Sequence, residues 1–313
     1  MMMREGSKQI HFSELRVLYF GMSGLLSRIP LAKLLDAKVN ICGIVLPSSV
    51  LPPYLHPENG RFQTHIPQNN QSLLLTPYPD LLQLAAQHQI PVTAVSQLRH
   101  SEAISALKKY RPDLICVSCF DQKFPKALLR MPPLGCINLH PSLLPQFRGP
   151  SPLFWTFQQG VQQTGVTLHL MDMQLDTGDI LLQATQTLAD GISGNEAEIT
   201  LAELGATLLL KAATEHSSLV PYPQSGASSY FPVPTAADFA LDLNWSVQHA
   251  FNFMRGTAEW QMPYLLQQGN NTVLLNTAVS WQQNATQATT IQRQGDLLSI
   301  QFKDGLLIAS QHA

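Results

Sequence analysis

Apolar and polar positions follow two rhythms along this chain, and the change from one to the other divides it. Leu15 to Phe20 is a largely apolar run ending at Gly21, the pattern of a buried strand entering a turn. Pro30 to Ala37 then places Leu31, Leu34 and Leu35 at helical spacing, and Val39–Val45 reads as a second strand. Strand, helix and strand with short joints predict a parallel α/β sheet. Helices are predicted near Asp80–Gln89 and Ser101–Tyr110, and strands over Asp113–Phe120 and Cys136–Leu139. Ser151 and Pro152 should cap and start a short helix that stops at Gly160. Gly165–Met171 alternates as a strand and Ile180–Thr187 as another. Glu196–Glu215 has helical period, with Leu201, Leu204, Leu208 and Leu209 on one side.

Two stretches break the rhythm. Between residues 46 and 76, Pro47, Pro52, Pro53, Pro57, Gly60, Pro67, Asn69 and Asn70 predict a long irregular loop, and loops of this length are often functional lids. Val220 to Ser229 has the composition of a linker. Beyond it come a helix near Ser246–Arg255 and short alternating runs at Asn271–Leu275, Val279–Gln282, Leu297–Phe302 and Leu306–Ala309. These predict a small β domain or barrel. The expected organisation is therefore an α/β domain over residues 1–219, a linker over 220–234 and a small β-rich domain over 235–313.

Composition narrows the classes of function. The chain has 313 residues, 45% of them hydrophobic, enough for a sizeable core, and a net charge of −2 that favours neither nucleic acid nor an anionic membrane. Four cysteines are too few for a disulfide framework in a chain this long. Cys116 and Cys119 have C-x-x-C spacing, but residues three apart in a strand point to opposite faces, so separate buried thiols are expected. Met1–Gly6 lacks the apolar core of a signal peptide, and no window reaches the ~20 apolar residues of a membrane span. A cytoplasmic location is the expectation.

The chemistry concentrates between Ile137 and Ile180. Asn138 and His140 fall where a strand runs out, since Pro141 ends it, and residues two apart in a strand share a face. Ligands of open parallel sheets sit outside such strand ends. Asp176 follows the Gly165–Met171 strand in a turn, and Gly178 is expected to supply a positive φ there. An amide, an imidazole and a carboxylate suit attack by an amine on a carbonyl carbon. Asn138 can donate to the oxyanion, His140 can donate or move a proton, and Asp176 can favour the imidazolium or accept the amine's proton through water.

Asn138-Leu139-His140, Ser142-Leu143-Leu144-Pro145-Gln146-Phe147-Arg148-Gly149, Gly165-Val166-Thr167-Leu168-His169 and Asp176-Thr177-Gly178-Asp179-Ile180 together resemble the folate-dependent formyltransferase family. The wider layout is similar to that of methionyl-tRNA formyltransferases. The resemblance implies a Rossmann-like catalytic domain, a smaller OB-like C-terminal domain and 10-formyltetrahydrofolate as donor to an amine. It casts Asn138, His140 and Asp176 as the catalytic trio. It places the pterin between Ser118, Cys119, Phe120 and Gln122 and the loop from Asp172 through Leu175 to Asp176. Asp121 stands where the family commonly has glycine, with Pro125 retained. No metal and no NAD are implied, and no G-x-G-x-x-G follows the first strand.

Four further residues are candidates for the acceptor side. Gly21 and Ser23 follow the first strand and can cradle a phosphate at a helix N-terminus, or simply make a tight turn. Arg148 can hold a carboxylate or phosphate, or fix its own loop. His169 can face the site, or bond to backbone.

Charge bears on the acceptor, because tRNA binding needs lysine and arginine to neutralise phosphates. Between 46 and 76 the one basic side chain is Arg61, offset by Glu58. From Thr235 onward Arg255, Arg293 and Lys303 face Asp238, Asp242, Glu259, Asp296 and Asp304. A small amine such as an amino sugar attached to a nucleotide is therefore favoured, with tRNA as the alternative. Three other readings compete. A formyltetrahydrofolate hydrolase needs the same trio. A serine hydrolase would use Ser142 or Ser23, but Gly21-Met22-Ser23-Gly24-Leu25 fails the G-x-S-x-G pattern at its last position. A non-catalytic module leaves the trio unexplained.

Overall fold

The computed structural model describes residues 14–50, 62–65 and 79–312. The first elements are Val17–Gly21 (β1), Leu25–Asp36 (α1), Ile41–Pro47 (β2), Phe62–His65 (β3), Leu81–Gln87 (α2), Val92–Val95 (β4) and Ser101–Lys108 (α3). Leu114–Ser118 (β5), Lys126–Leu129 (α4), Cys136–His140 (β6), Pro152–Gln158 (α5), Gln163–Leu170 (β7), Ile180–Thr187 (β8) and Gly194–Glu215 (α6) follow. The sheet order is β3-β4-β2-β1-β5-β6-β7-β8. Strands β4, β2, β1, β5 and β6 run parallel, while β3 and β7 are antiparallel to their neighbours β4 and β6. The parallel α/β sheet expected from the sequence is present over β4, β2, β1, β5 and β6, and the antiparallel β3 and β7 make the whole sheet mixed.

The chain builds outward from β1 in one direction and then, with β5 and β6, in the other. The order reverses between β1 and β5, and a crevice outside the carboxyl ends of strands at such a switch is where α/β sheets hold ligands. Helix α6 crosses β6 closely: a Cβ on Gly205 would lie 2.7 Å from a Leu139 methyl. Leu139 therefore takes the helix-covered face of β6, and Asn138 and His140 take the other.

Two elements differ from the reading of the pattern. Helix α1 begins at Leu25 and carries Pro30 in its interior, where a helix beginning at Pro30 was expected. A proline there leaves the Leu26 carbonyl without its helical N–H. The Ser118 hydroxyl donates to that carbonyl, and the Ser27 hydroxyl donates back to the Ser118 carbonyl. The proline is tolerated because β5 supplies the missing donor. The expected lid over 46–76 and the Met1–Gly6 terminus lie largely or wholly outside the described residues. Within that stretch β2 extends to Pro47, a single 3-10 turn covers Ser48–Val50 and β3 occupies 62–65.

The C-terminal part contains Ala240–Leu241 (β9), Val247–Gly256 (α7), Tyr264–Gln268 (β10), Asn271–Gln283 (β11), Ile291–Gln294 (β12), Leu297–Phe302 (β13) and Gly305–Gln311 (β14). Its sheet has the order β12-β13-β14-β11-β10-β9. The two runs expected at 271–275 and 279–282 are one strand, β11. Its ladder with β14 carries register shifts between Leu275 and Ser280, and these scramble the alternation.

Packing divides the chain into two units. One takes the stretch to Pro145 with Val166–Ala184 and Leu201–Ser228; the other takes Gln146–Gly165, Thr185–Thr200 and Ser229 onward. This differs from boundaries at 219 and 235. The reason is the aromatic content of α5: Phe154, Trp155 and Phe157, with Leu188 and Ala197, are buried in the same cluster as Phe239, Phe253 and Tyr264. Ser151 precedes α5 without a side-chain capping bond, and Pro152 supplies the preset first turn. Among the described residues no helix is long and apolar enough to cross a membrane.

Candidate functional site

The end of β6 and the turn between β7 and β8 bring four candidate side chains together. Asn138 and His169 are register partners across the antiparallel β6–β7 pair, and His140 pairs with Thr167. His169 Nδ1 is 2.8 Å from the Leu170 carbonyl, which can only accept, so Nδ1 carries the proton. Nε2 is then an acceptor, and the Asn138 amide nitrogen lies 3.2 Å from it. The same amide nitrogen is 3.4 Å from Asp176 Oδ1. A carboxylate accepts, so the amide must present its nitrogen to both neighbours.

Asp176 Oδ1 is the hub. Besides Asn138, it lies 3.6 Å from His140 Nδ1 and 3.6 Å from His169 Nε2. Both imidazoles are buried, and the Asp176 side chain is 12% exposed. The cluster is therefore an amide donor and an imidazole acid–base group organised around one acidic oxygen.

Asp176 itself has φ +56°, a left-handed conformation that Asp tolerates better than most residues. Gly178, expected to supply the positive φ, does not have one. It is needed for close approach: a Cβ there would lie 1.8 Å from the Leu170 carbonyl oxygen. The turn is braced by the Thr177 hydroxyl, which donates to the Asp172 carboxylate at 2.8 Å, and by the Leu170 N–H donating to the Asp179 carbonyl at 2.8 Å. Gln224, which the pattern did not single out, also reaches this turn: its Nε2 donates to the carbonyls of Asp176 at 2.9 Å and Gly178 at 2.8 Å. The linker-like composition around it hid this residue. A glutamine two places past a strand-like Tyr222 was the available signal.

A second glutamine secures the loop after His140. Gln183 Nε2 donates to the Leu144 carbonyl at 3.0 Å and to Thr167 Oγ1 at 2.8 Å. Thr167 in turn donates to the Ser142 carbonyl and accepts from the Leu144 N–H. Ser142 is fully buried, which removes it from a substrate and weakens the serine-hydrolase reading.

The residues expected to meet the pterin are placed as follows. Ser118 ends β5 with its hydroxyl committed to Leu26. Cys119 follows at φ +57°, and Phe120 packs edge-on against Phe20, centroids 5.2 Å apart. Gln122 accepts from the Leu98 N–H at 2.8 Å and donates to the Ser96 carbonyl at 3.2 Å. The polar atoms of Ser118 and Gln122 are thus engaged with backbone. Asp172 is turned inward to its own loop, while Met173 and Leu175 are exposed apolar side chains beside Asp176.

The residues expected on the acceptor side separate. His169 joins the cluster. Gly21 ends β1 and Ser23 is exposed before α1, where Ser27 Oγ, in place of Ser23, accepts the Met22 N–H at 2.9 Å. Arg148 belongs to the second unit, where its backbone pairs with Ser229 and Phe231. Burial pushes the thiols of Cys42 and Cys136 up to about 11 and about 12 and raises Cys116 as well, so these three are inert. All four cysteines are free. Among the described residues no group of His, Cys, Asp and Glu side chains is arranged to hold a metal ion.

Comparison with known proteins places this geometry in context. Residues 68–212 match the model of a family described as formyl transferase. The methionyl-tRNA formyltransferase of Pelobacter propionicus is 34% identical over 236 residues, 74% of either chain. That of Citrifermentans bemidjiense is 38% identical over 189 residues, 59% of either chain. An N-formyltransferase from Helicobacter canadensis, solved with folinic acid and dTDP-3-aminofucose, superposes with a TM-score of 0.60 at 16% identity, covering 95% of this chain and 99% of its own. At that identity the likeness is one of fold.

Proposed function

The chain belongs to the formyltransferase family, and on that premise we propose that it moves a formyl group from 10-formyltetrahydrofolate to a primary amine. The observation that carries the reading is the shared contact of Asp176 Oδ1 with Asn138 and His140. The acceptor amine attacks the formyl carbon, and the carbonyl oxygen becomes an oxyanion. Asn138 Nδ2, turning one hydrogen from its long 3.4 Å contact with Asp176 Oδ1 to the developing oxyanion, and the His140 ring nitrogen remote from Asp176 stabilise that oxygen; a donor of this kind is worth about 10²–10³ in kcat. Asp176 holds His140 as its cation and takes up the proton the amine loses, directly or through water. Collapse of the intermediate breaks the bond between the formyl carbon and the donor nitrogen, which takes up the proton that Asp176 accepted, so tetrahydrofolate leaves and the amine is formylated. Phe120 and Leu175 supply apolar surface for the pterin, with Cys119 and Asp172 at its edges.

The favoured acceptor is a small amine, an amino sugar carried on a nucleotide. Support comes from charge: residues 235–313 hold three Lys and Arg against five Asp and Glu, a poor surface for the phosphates of tRNA. Gly21 and Ser23, before α1, are the groups proposed for a nucleotide phosphate, and Arg148, in the second unit, is a separate candidate for an anion. A tRNA acceptor is the second reading, favoured by the likeness in sequence to methionyl-tRNA formyltransferases. Incubation with 10-formyltetrahydrofolate and each acceptor in turn tests both. Acceptor-dependent tetrahydrofolate release with the sugar amine supports the first reading, and release with Met-tRNA alone overturns it in favour of the second. Release without any acceptor indicates the hydrolase.

A further inference from the structure

Gln224 lies in the segment after α6, where Tyr222 pairs with Ile180 through two backbone bonds of 2.8 and 2.9 Å. That pairing fixes the segment against the start of β8. Two residues on, Gln224 is half-buried between exposed Pro223 and Ser225. Its amide nitrogen spends both hydrogens on the turn, one on the Asp176 carbonyl and one on the Gly178 carbonyl, at 2.9 and 2.8 Å. These carbonyls flank Thr177. Asp176 at φ +56° needs its surroundings to select that conformation, and a side chain gripping its own carbonyl does so.

The geometry points to Gln224 as a positioning residue: it sets the rotation of the Asp176 peptide, and through it the aim of the carboxylate at Asn138 and His140. The role rests on the formyl-transfer reading above for its consequence in turnover, and on geometry alone for its structural consequence. Two donors to two carbonyls are the operative feature. Methionine keeps the volume and loses both donors. Lysine keeps donors on a longer stem. Glutamate places a carboxylate against two carbonyl oxygens.

The test compares Gln224→Met, Gln224→Lys and Gln224→Glu for kcat and for KM toward 10-formyltetrahydrofolate, with a crystal structure of the methionine variant. Displacing a reacting group by about 1 Å costs up to about 100-fold, so Q224M should lose about 10- to 100-fold in kcat with KM changed by less than about threefold. Q224K should recover most of the loss, and Q224E should be slowest at neutral pH. In the Q224M crystal, Asp176 Oδ1 should leave its 3.4 Å contact with Asn138. Wild-type kcat in Q224M, or a lowered kcat with Asp176 undisplaced, overturns the positioning role. Should Q224M not fold, lysine and glutamate variants of equal kcat overturn it. A wild-type enzyme that consumes no 10-formyltetrahydrofolate sinks the functional reading instead, and the crystal structure then decides the positioning role by itself.

Discussion

Asn138 and His169 face one another across the β6–β7 pair, with the asparagine amide nitrogen 3.2 Å from the imidazole Nε2. Because His169 Nδ1 is held by the Leu170 carbonyl, His169 acts on Asn138 as a fixed acceptor. It turns the amide so that nitrogen, and not oxygen, faces the site. Replacing His169 with leucine removes two hydrogen bonds, to the Leu170 carbonyl and from the Asn138 amide, of about 1 kcal/mol each, and frees the amide to rotate. A fall of about 10-fold in kcat, with little change in KM for the donor, is expected from steady-state kinetics.

Asp176 itself, with Asn138 and His140, should respond more strongly. His140→Ala removes an acid–base group worth about 10²–10⁴ in rate, and Asn138→Ala removes an oxyanion donor worth about 10²–10³. Asp176→Asn keeps the volume and loses the charge, so turnover should fall comparably while circular dichroism and the unfolding midpoint stay near wild type. Full activity in any of the three would remove that residue from the mechanism.

Gly178→Ala tests the turn. A Cβ 1.8 Å from the Leu170 carbonyl oxygen cannot be accommodated without backbone movement, and overpacking of this kind costs about 1–3 kcal/mol. Denaturant unfolding should show that loss, and activity should fall with it, because the displaced backbone carries Asp176.

The second unit carries a pH-sensitive histidine. Burial is the main cause that lowers the pKa of His249, whose ring stacks on Trp245 at 4.0 Å and whose Nε2 lies 3.0 Å from the Gln158 carbonyl. The sign follows from linkage. Below about pH 6.5 the unfolded chain binds a proton at this residue that the folded chain resists, so stability falls as pH drops from there toward the folded-state pKa. Above that window the contribution is fully present. Unfolding midpoints measured from pH 8 to pH 5 should decline less steeply in His249→Gln than in wild type.

The parallel core was legible because its strands are buried on both faces and read as apolar runs, as in Leu114–Ser118. The candidate cluster was legible because Asn138, His140 and Asp176 sit beside Pro and Gly, which punctuate a sequence. His169 was visible from strand alternation, and a bond to backbone was one of its two readings, although which carbonyl it takes was not legible. What escaped depends on contacts distant in sequence. Helix α1 contains Pro30 because Ser118, 92 residues from Leu26, satisfies the orphaned carbonyl. Gly178 is dictated by the approach of Leu170, not by its own φ. Gln224 looked like linker because its partners lie nearly fifty residues upstream.

The central claim is formyl transfer to a small nucleotide-linked amine, and one measurement tests it most directly: tetrahydrofolate release from 10-formyltetrahydrofolate by the purified protein, with and without a nucleotide-linked amino sugar, with mass spectrometry of the acceptor. The account predicts release that requires the amine and an acceptor heavier by one formyl group. An unmodified acceptor, with no folate turnover or with turnover indifferent to the amine, would contradict it.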